Sequence, residues 1–117
     1  MKIYISGKMA GMSEKESRNL FLRACILIES VNHNPINPWV VNDKLQGASY
    51  EDKMKEDLRI IKEEADAIFM LKNWNMSLGA QREYDEAIIK GIPIYYESDP
   101  SIFLFDMTFP KVNPVNQ

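Results

Sequence analysis

Ala67-Ile68-Phe69-Met70-Leu71 is the stretch that decides the fold. It is a continuous apolar run without alternation, of strand rather than helix length, and such runs suit a strand covered on both faces, as in parallel sheets. Downstream, Lys72-Asn73-Trp74-Asn75-Met76 predicts a loop, and Ser77 can cap a helix reaching about Lys90. Gly91 marks its end, because a left-handed conformation costs glycine little. Ile92-Pro93-Ile94-Tyr95-Tyr96 predicts the next strand. Strand, helix and strand in that order make a parallel unit.

Upstream the alternation repeats. A helix is predicted from about Tyr50 to Glu64, with Met54, Leu58, Ile61 and Ala65 facing inward. Pro35-Ile36-Asn37-Pro38-Trp39-Val40-Val41 reads as a strand running into a loop, its prolines limiting regular pairing. Residues 42–49 are polar and irregular. Lys2–Ser6 predicts the first strand, entering the loop Gly7-Lys8-Met9-Ala10-Gly11-Met12, whose two glycines suit a sharp turn or a close approach. Ser13 then opens a helix, with Glu16 completing a capping box. Leu20, Phe21, Ala24, Ile28 and Val31 form its inward face. After Tyr96 the apolar patch Ile102-Phe103-Leu104-Phe105 predicts a short helix or strand before a proline-broken polar tail.

The expected architecture is α/β. Residues 1–117 form a single domain, a Rossmann- or flavodoxin-like three-layer fold with a mainly parallel sheet of four to five strands and a poorly defined tail at 98–117. Ligands of such sheets bind beyond the carboxyl ends of the strands. The loops at 7–12, 37–49, 72–77 and 97–101 are therefore expected along one edge.

A composition 45% hydrophobic and 26% charged argues against disorder. The net charge of −3 argues against a nucleic-acid polymer as partner. It leaves room for a phosphorylated small molecule, which backbone amides can bind. No apolar run approaches the roughly 18 residues a membrane span needs, and the first residues enter a strand without a signal-peptide pattern. Cys25, the single cysteine, reads as a buried structural thiol of a reducing compartment, so a cytoplasmic protein is expected. With one histidine, His33, in a turn-like stretch, neither a metal nor a cofactor is expected.

Ser77-Leu78-Gly79-Ala80-Gln81-Arg82-Glu83 carries the most chemistry. Ser77 stands at a helix N-terminus whose free N–H groups and dipole favour an anion, and Gly79 allows close approach. Glu83 lies three residues after Ala80 and four before Ala87, on the inward stripe, and helical side chains lean toward the N-terminus. That spacing allows either a carboxylate at the ligand edge or an ordinary solvated one paired with Arg82 or Lys90. Trp39 and Trp74 each follow a strand and can either stack on a base or fill a core or interface.

Ile3-Tyr4-Ile5-Ser6-Gly7, the Asp57…Asp66 stretch and Ser77-Leu78-Gly79-x-x-x-Glu83…Ala87…Gly91-Ile92-Pro93 together resemble the nucleoside 2-deoxyribosyltransferase family, and also its relatives that hydrolyse 2′-deoxynucleoside 5′-monophosphates. The likeness covers roughly residues 2–96 and is greatest to a short, phage-type branch. It implies N-glycosidic bond cleavage of a nucleotide or nucleoside through a covalent glutamyl-sugar intermediate, with Glu83 as nucleophile, Tyr4 orienting it and Asp57 near the sugar or base. It implies substrate contacts at Ser6, Gly7, Lys8, Gly11, Trp74, Ser77 and Gly79. Ser77 stands where the monophosphate hydrolases place a phosphate-binding serine, and a pure capping role is compatible with the same position. Ala10 departs from the basic residue found there in at least one hydrolase, and Lys8 can supply that charge. The family's sites are completed by a neighbouring subunit, so a homodimer or higher homo-oligomer is expected, with Ile102–Phe105 as interface candidate. The alternative is a non-catalytic binder of a nucleotide or nucleotide signal on the same fold.

Overall fold

A buried apolar strand needs neighbours on both edges and cover on both faces, and the chain supplies both. The computed structural model describes residues 1–108. Its strands are β1 (Lys2–Ser6), β2 (Asn34–Ile36), β3 (Ala67–Met70) and β4 (Ile94–Tyr96). They form one sheet in the order β2-β1-β3-β4, every pair parallel. The expected α/β layering is present, with four strands and no antiparallel pair among the described residues.

The helices are α1 (Glu14–Ser30), α2 (Pro38–Asp43), α3 (Tyr50–Glu63), α4 (Leu78–Lys90) and α5 (Pro100–Thr108). Side chains alternate across a strand, so β1 splits its residues between two cores. Ile3 and Ile5 join Phe21, Ala24 and Ile28 of α1 on one face, with Phe69 and Phe103. Tyr4 lies on the other, with Ile60 and Ile61 of α3 and Ala87 of α4. The chain leaves β1 to one side, through α1 to β2, then crosses back over β1 to β3. That reversal places a crevice above the carboxyl ends of β1 and β3.

Local signals fix the helix starts. Ser13 Oγ accepts from the Glu16 N–H at 3.1 Å, as the capping box predicts. Gly91 ends α4 with φ of 79°. Two expectations need correction. The stretch Pro35–Val41 is not a strand running into a loop: pairing stops at Ile36, Asn37 caps a helix through a 3.0 Å bond from the Trp39 N–H, and Pro38 occupies the first turn. Asn followed by Pro is a start signal, since the cap accepts an orphan N–H and proline lacks one. In α3 the inward line is Met54, Asp57, Ile60 and Ile61, and Leu58 is only half-buried.

The apolar patch lies in α5, where Phe103 is fully buried against Phe69 and Tyr95, at ring-centroid distances of 4.8 and 5.4 Å. Phe103 is therefore core, and Ile102 stays exposed. Residues 109–117, which include most of the expected polar tail, fall outside the described residues. Among the described residues, no helix is long and apolar enough to cross a membrane.

Candidate active site

β1 and α4 meet at the crevice. Tyr4 and Ser6, two apart on one face of β1, both aim at α4, and Ala80, Glu83 and Ala87 are the buried stripe of α4. The alanines let the helix sit close to the sheet, so the longer Glu83 reaches it. The Tyr4 hydroxyl donates to Glu83 Oε2 at 2.5 Å, and the Ser6 hydroxyl donates to Oε1 at 2.6 Å. Glu83 is 4% exposed, which excludes the solvated alternative. Burial pushes its carboxyl up to about 7, against the opposing pull of the Ser6 and Tyr4 donors.

Asp57 approaches from α3. It is 3% exposed, and its Oδ1 has no hydrogen-bond partner. Burial raises its carboxyl to about 8, helped by the charges of Glu83 and Glu56, while the Tyr4 hydroxyl opposes the shift. The Tyr4 hydroxyl is itself held well above its ordinary value by burial and by the Glu83 and Asp57 charges, so it remains a donor. Around neutral pH the arrangement therefore favours one ionised and one protonated carboxyl. Environments that split two acids in this way equip one as nucleophile or base and the other as acid.

Glu83 and Asp57 line one cleft of about 540 Å³, a size that suits a small organic ligand. Its floor is the loop Gly7-Lys8-Met9-Ala10, one wall is Trp39 and Asn42 of α2, and the rim carries Tyr50 and Lys53. The start of α4, Ser77-Leu78-Gly79-Ala80, forms the remaining wall. Ser77 Oγ accepts from the Ala80 N–H at 3.1 Å. The N–H groups of Leu78 and Gly79 belong to the first turn, which has no intrahelical acceptors for them.

The implied contact residues separate into three groups. Lys8, Ser77 and Gly79 line the cleft, and a Cβ at Gly79 would first meet the movable end of Met54, its Cε at 2.9 Å. Gly7 also lines it, but a Cβ there would meet Leu71 at 2.6 Å, so this glycine serves packing. Ser6 is fully buried and supports Glu83 instead of contacting a ligand. Gly11 does not line the cleft; its φ of +81° marks a turn. Trp74 is likewise absent from the lining, half-buried, stacked on Tyr84 at 4.8 Å and packed against the core. The tryptophan at the cleft is Trp39, held by its Nε1–H donating to Ser17 Oγ at 3.1 Å and by Arg18 lying 4.3 Å from the ring centroid.

Sequence reasoning missed Asn42, Tyr50 and Lys53. Tyr50, Met54, Asp57 and Ile61 do follow helical spacing, so the signal for Tyr50 was present. Among the described residues no group of three or more His, Cys, Asp or Glu is placed to hold a metal. Residues 1–96 match the family described as a domain of unknown function, DUF4406, and the chain belongs to that family. No curated protein matches the chain.

Proposed function

We propose that this member of the DUF4406 family binds a nucleoside or nucleotide in the cleft and cleaves its N-glycosidic bond, with Glu83 attacking the anomeric carbon. The observation that carries the reading is the pair of hydroxyl donors holding a buried carboxylate at the cleft wall, beside a second buried carboxyl, Asp57, whose pKa burial raises to about 8. A Glu83 oxygen bonds to the anomeric carbon as the carbon–nitrogen bond breaks, and the electron pair leaves with the base. Asp57 donates its proton to that base. Water then attacks the same carbon, its proton passes to Asp57, and the Glu83–sugar bond breaks; a second base in place of water gives transfer. Tyr4 and Ser6 keep Glu83 ionisable within a site whose burial opposes charge. A 5′-phosphate fits the start of α4, where Ser77, Leu78 and Gly79 line the cleft together with Lys8.

Incubation with a panel of deoxynucleosides and their 5′-monophosphates, followed by chromatography for free base, tests the proposal. Wild type is expected to release base. Glu83→Gln should lower release by about a thousandfold or more while retaining ligand binding. Tight binding without turnover by wild type would overturn the catalytic reading in favour of a binding protein.

A further inference from the structure

Among the described residues, the only buried side-chain nitrogen or oxygen atoms without a hydrogen-bond partner are Asp57 Oδ1 and Asn42 Oδ1. Both residues line the cleft. Buried acceptors are nearly always satisfied, so two orphans on residues that line one cleft point to donors that a ligand brings as these side chains turn to meet it. Asp57 is explained by the proposed chemistry. Asn42 is not.

Asn42 lies three residues after Trp39 in α2, and residues so spaced share a helix face. The amide's other end has a weak partner, Met9 Sδ at 3.9 Å from Nδ2. The Trp39 indole is already fixed by Ser17 and Arg18. An aromatic ring beside a carboxamide, on a wall set before any ligand arrives, supplies stacking and an edge-reading group together. A carboxamide pairs in two-point fashion with an amine next to a ring nitrogen, accepting from one and donating to the other.

We infer that the α2 wall reads the base, with Asn42 as a specificity-determining residue that selects bases carrying an exocyclic amine beside a ring-nitrogen acceptor. The inference rests on the nucleoside part of the proposed function. A keto base presents a carbonyl oxygen where the amine would be, and that oxygen would oppose Asn42 Oδ1.

Binding, not turnover, tests this, so the two proposals fail separately. Calorimetric affinities of the Glu83→Gln protein, which binds without turning over, for deoxyadenosine against deoxyinosine, and deoxycytidine against deoxyuridine, compare amine with keto at constant ring shape. With Asn42 in place, each amine partner is expected to bind more tightly by roughly tenfold or more, a free-energy gap of about 1.4 kcal/mol. Adding Asn42→Leu should bring both ratios close to one, and adding Asn42→Asp, which keeps an acceptor, should retain the amine preference; thermal melting confirms that each variant is folded. No amine preference with Asn42 in place, or ratios unchanged by Asn42→Leu, overturns the inference. Base release with those unchanged ratios would leave the reaction standing alone. Selective, Asn42-dependent binding without base release would leave the specificity inference standing and remove the reaction.

Discussion

α3 and α4 lie side by side, and the two ends of the pair treat charged groups in opposite ways. At the end away from the cleft, the Lys90 ammonium donates to the carbonyls of Ile61, at 2.8 Å, and Ala65, at 2.6 Å. One cation meets orphan acceptors at a helix terminus, which is where a cation stabilises. At the cleft end, two carboxyls face each other in the interior, one of them with an unpartnered oxygen. The first arrangement satisfies its groups and stabilises the pair. The second leaves two desolvated acids that resist ionising together, a cost that no fold needs and that chemistry can use.

Substitutions at the two ends should therefore have opposite signatures. After Glu83 itself, the largest effect is expected at Asp57. Base release by wild type should follow a bell, rising as Glu83 ionises near pH 7 and falling as Asp57 loses its proton near pH 8. Asp57→Asn should remove the descending limb and slow release by about a hundredfold; an unchanged alkaline limb would assign that role elsewhere. Tyr4→Phe comes next. It deletes a donor that lowers the Glu83 pKa, so the acidic limb should move to higher pH and kcat/KM at pH 7 fall about tenfold.

Stability should respond in the opposite direction. The folded-state value of Asp57 lies above its ordinary 3.8, at about 8. The folded chain therefore holds this proton more tightly, and the associated stability is complete below about pH 4 and lost as pH rises toward 8. Asp57→Asn should exceed wild type by on the order of 5 kcal/mol at pH 8, and by close to nothing at pH 4, in denaturant titrations. The smallest effect belongs to the satisfied end. Lys90→Met should cost about 1 kcal/mol of stability and leave the pH profile of base release unmoved. A shifted profile in Lys90→Met would erase the distinction between the two ends.

The order of elements was legible because each strand–helix–strand unit carries its own punctuation. Ser13 and Ser77 start helices, Gly91 ends one, and Ala67–Leu71 has the composition of a strand with two covered faces. Glu83 was legible as a position on a stripe between two alanines, and its burial follows from that stripe. Asp57 was less so, because Leu58 beside it, roughly 100° round the helix, offers an apolar residue for the inward line, and only the packing of α3 on α4 decides between them. The second strand was over-read. Trp39-Val40-Val41 has β-forming side chains, and the Asn37-Pro38 start signal outweighed them. The choice between two tryptophans could not be made locally, since Trp74 and Trp39 both follow strands and differ only in which partners, Tyr84 or Arg18 and Ser17, stand nearby in space. Asn42 carried no signal at all, because an unanswered acceptor exists only once its surroundings are assembled.

Ser17, fully buried, uses one hydroxyl in two directions, receiving the Trp39 indole N–H and donating to the Lys8 carbonyl at 3.1 Å. It thereby latches the floor of the cleft to the α2 wall through a single oxygen. A shift of either would strain that shared oxygen, so two separate segments of the lining are spaced by one serine.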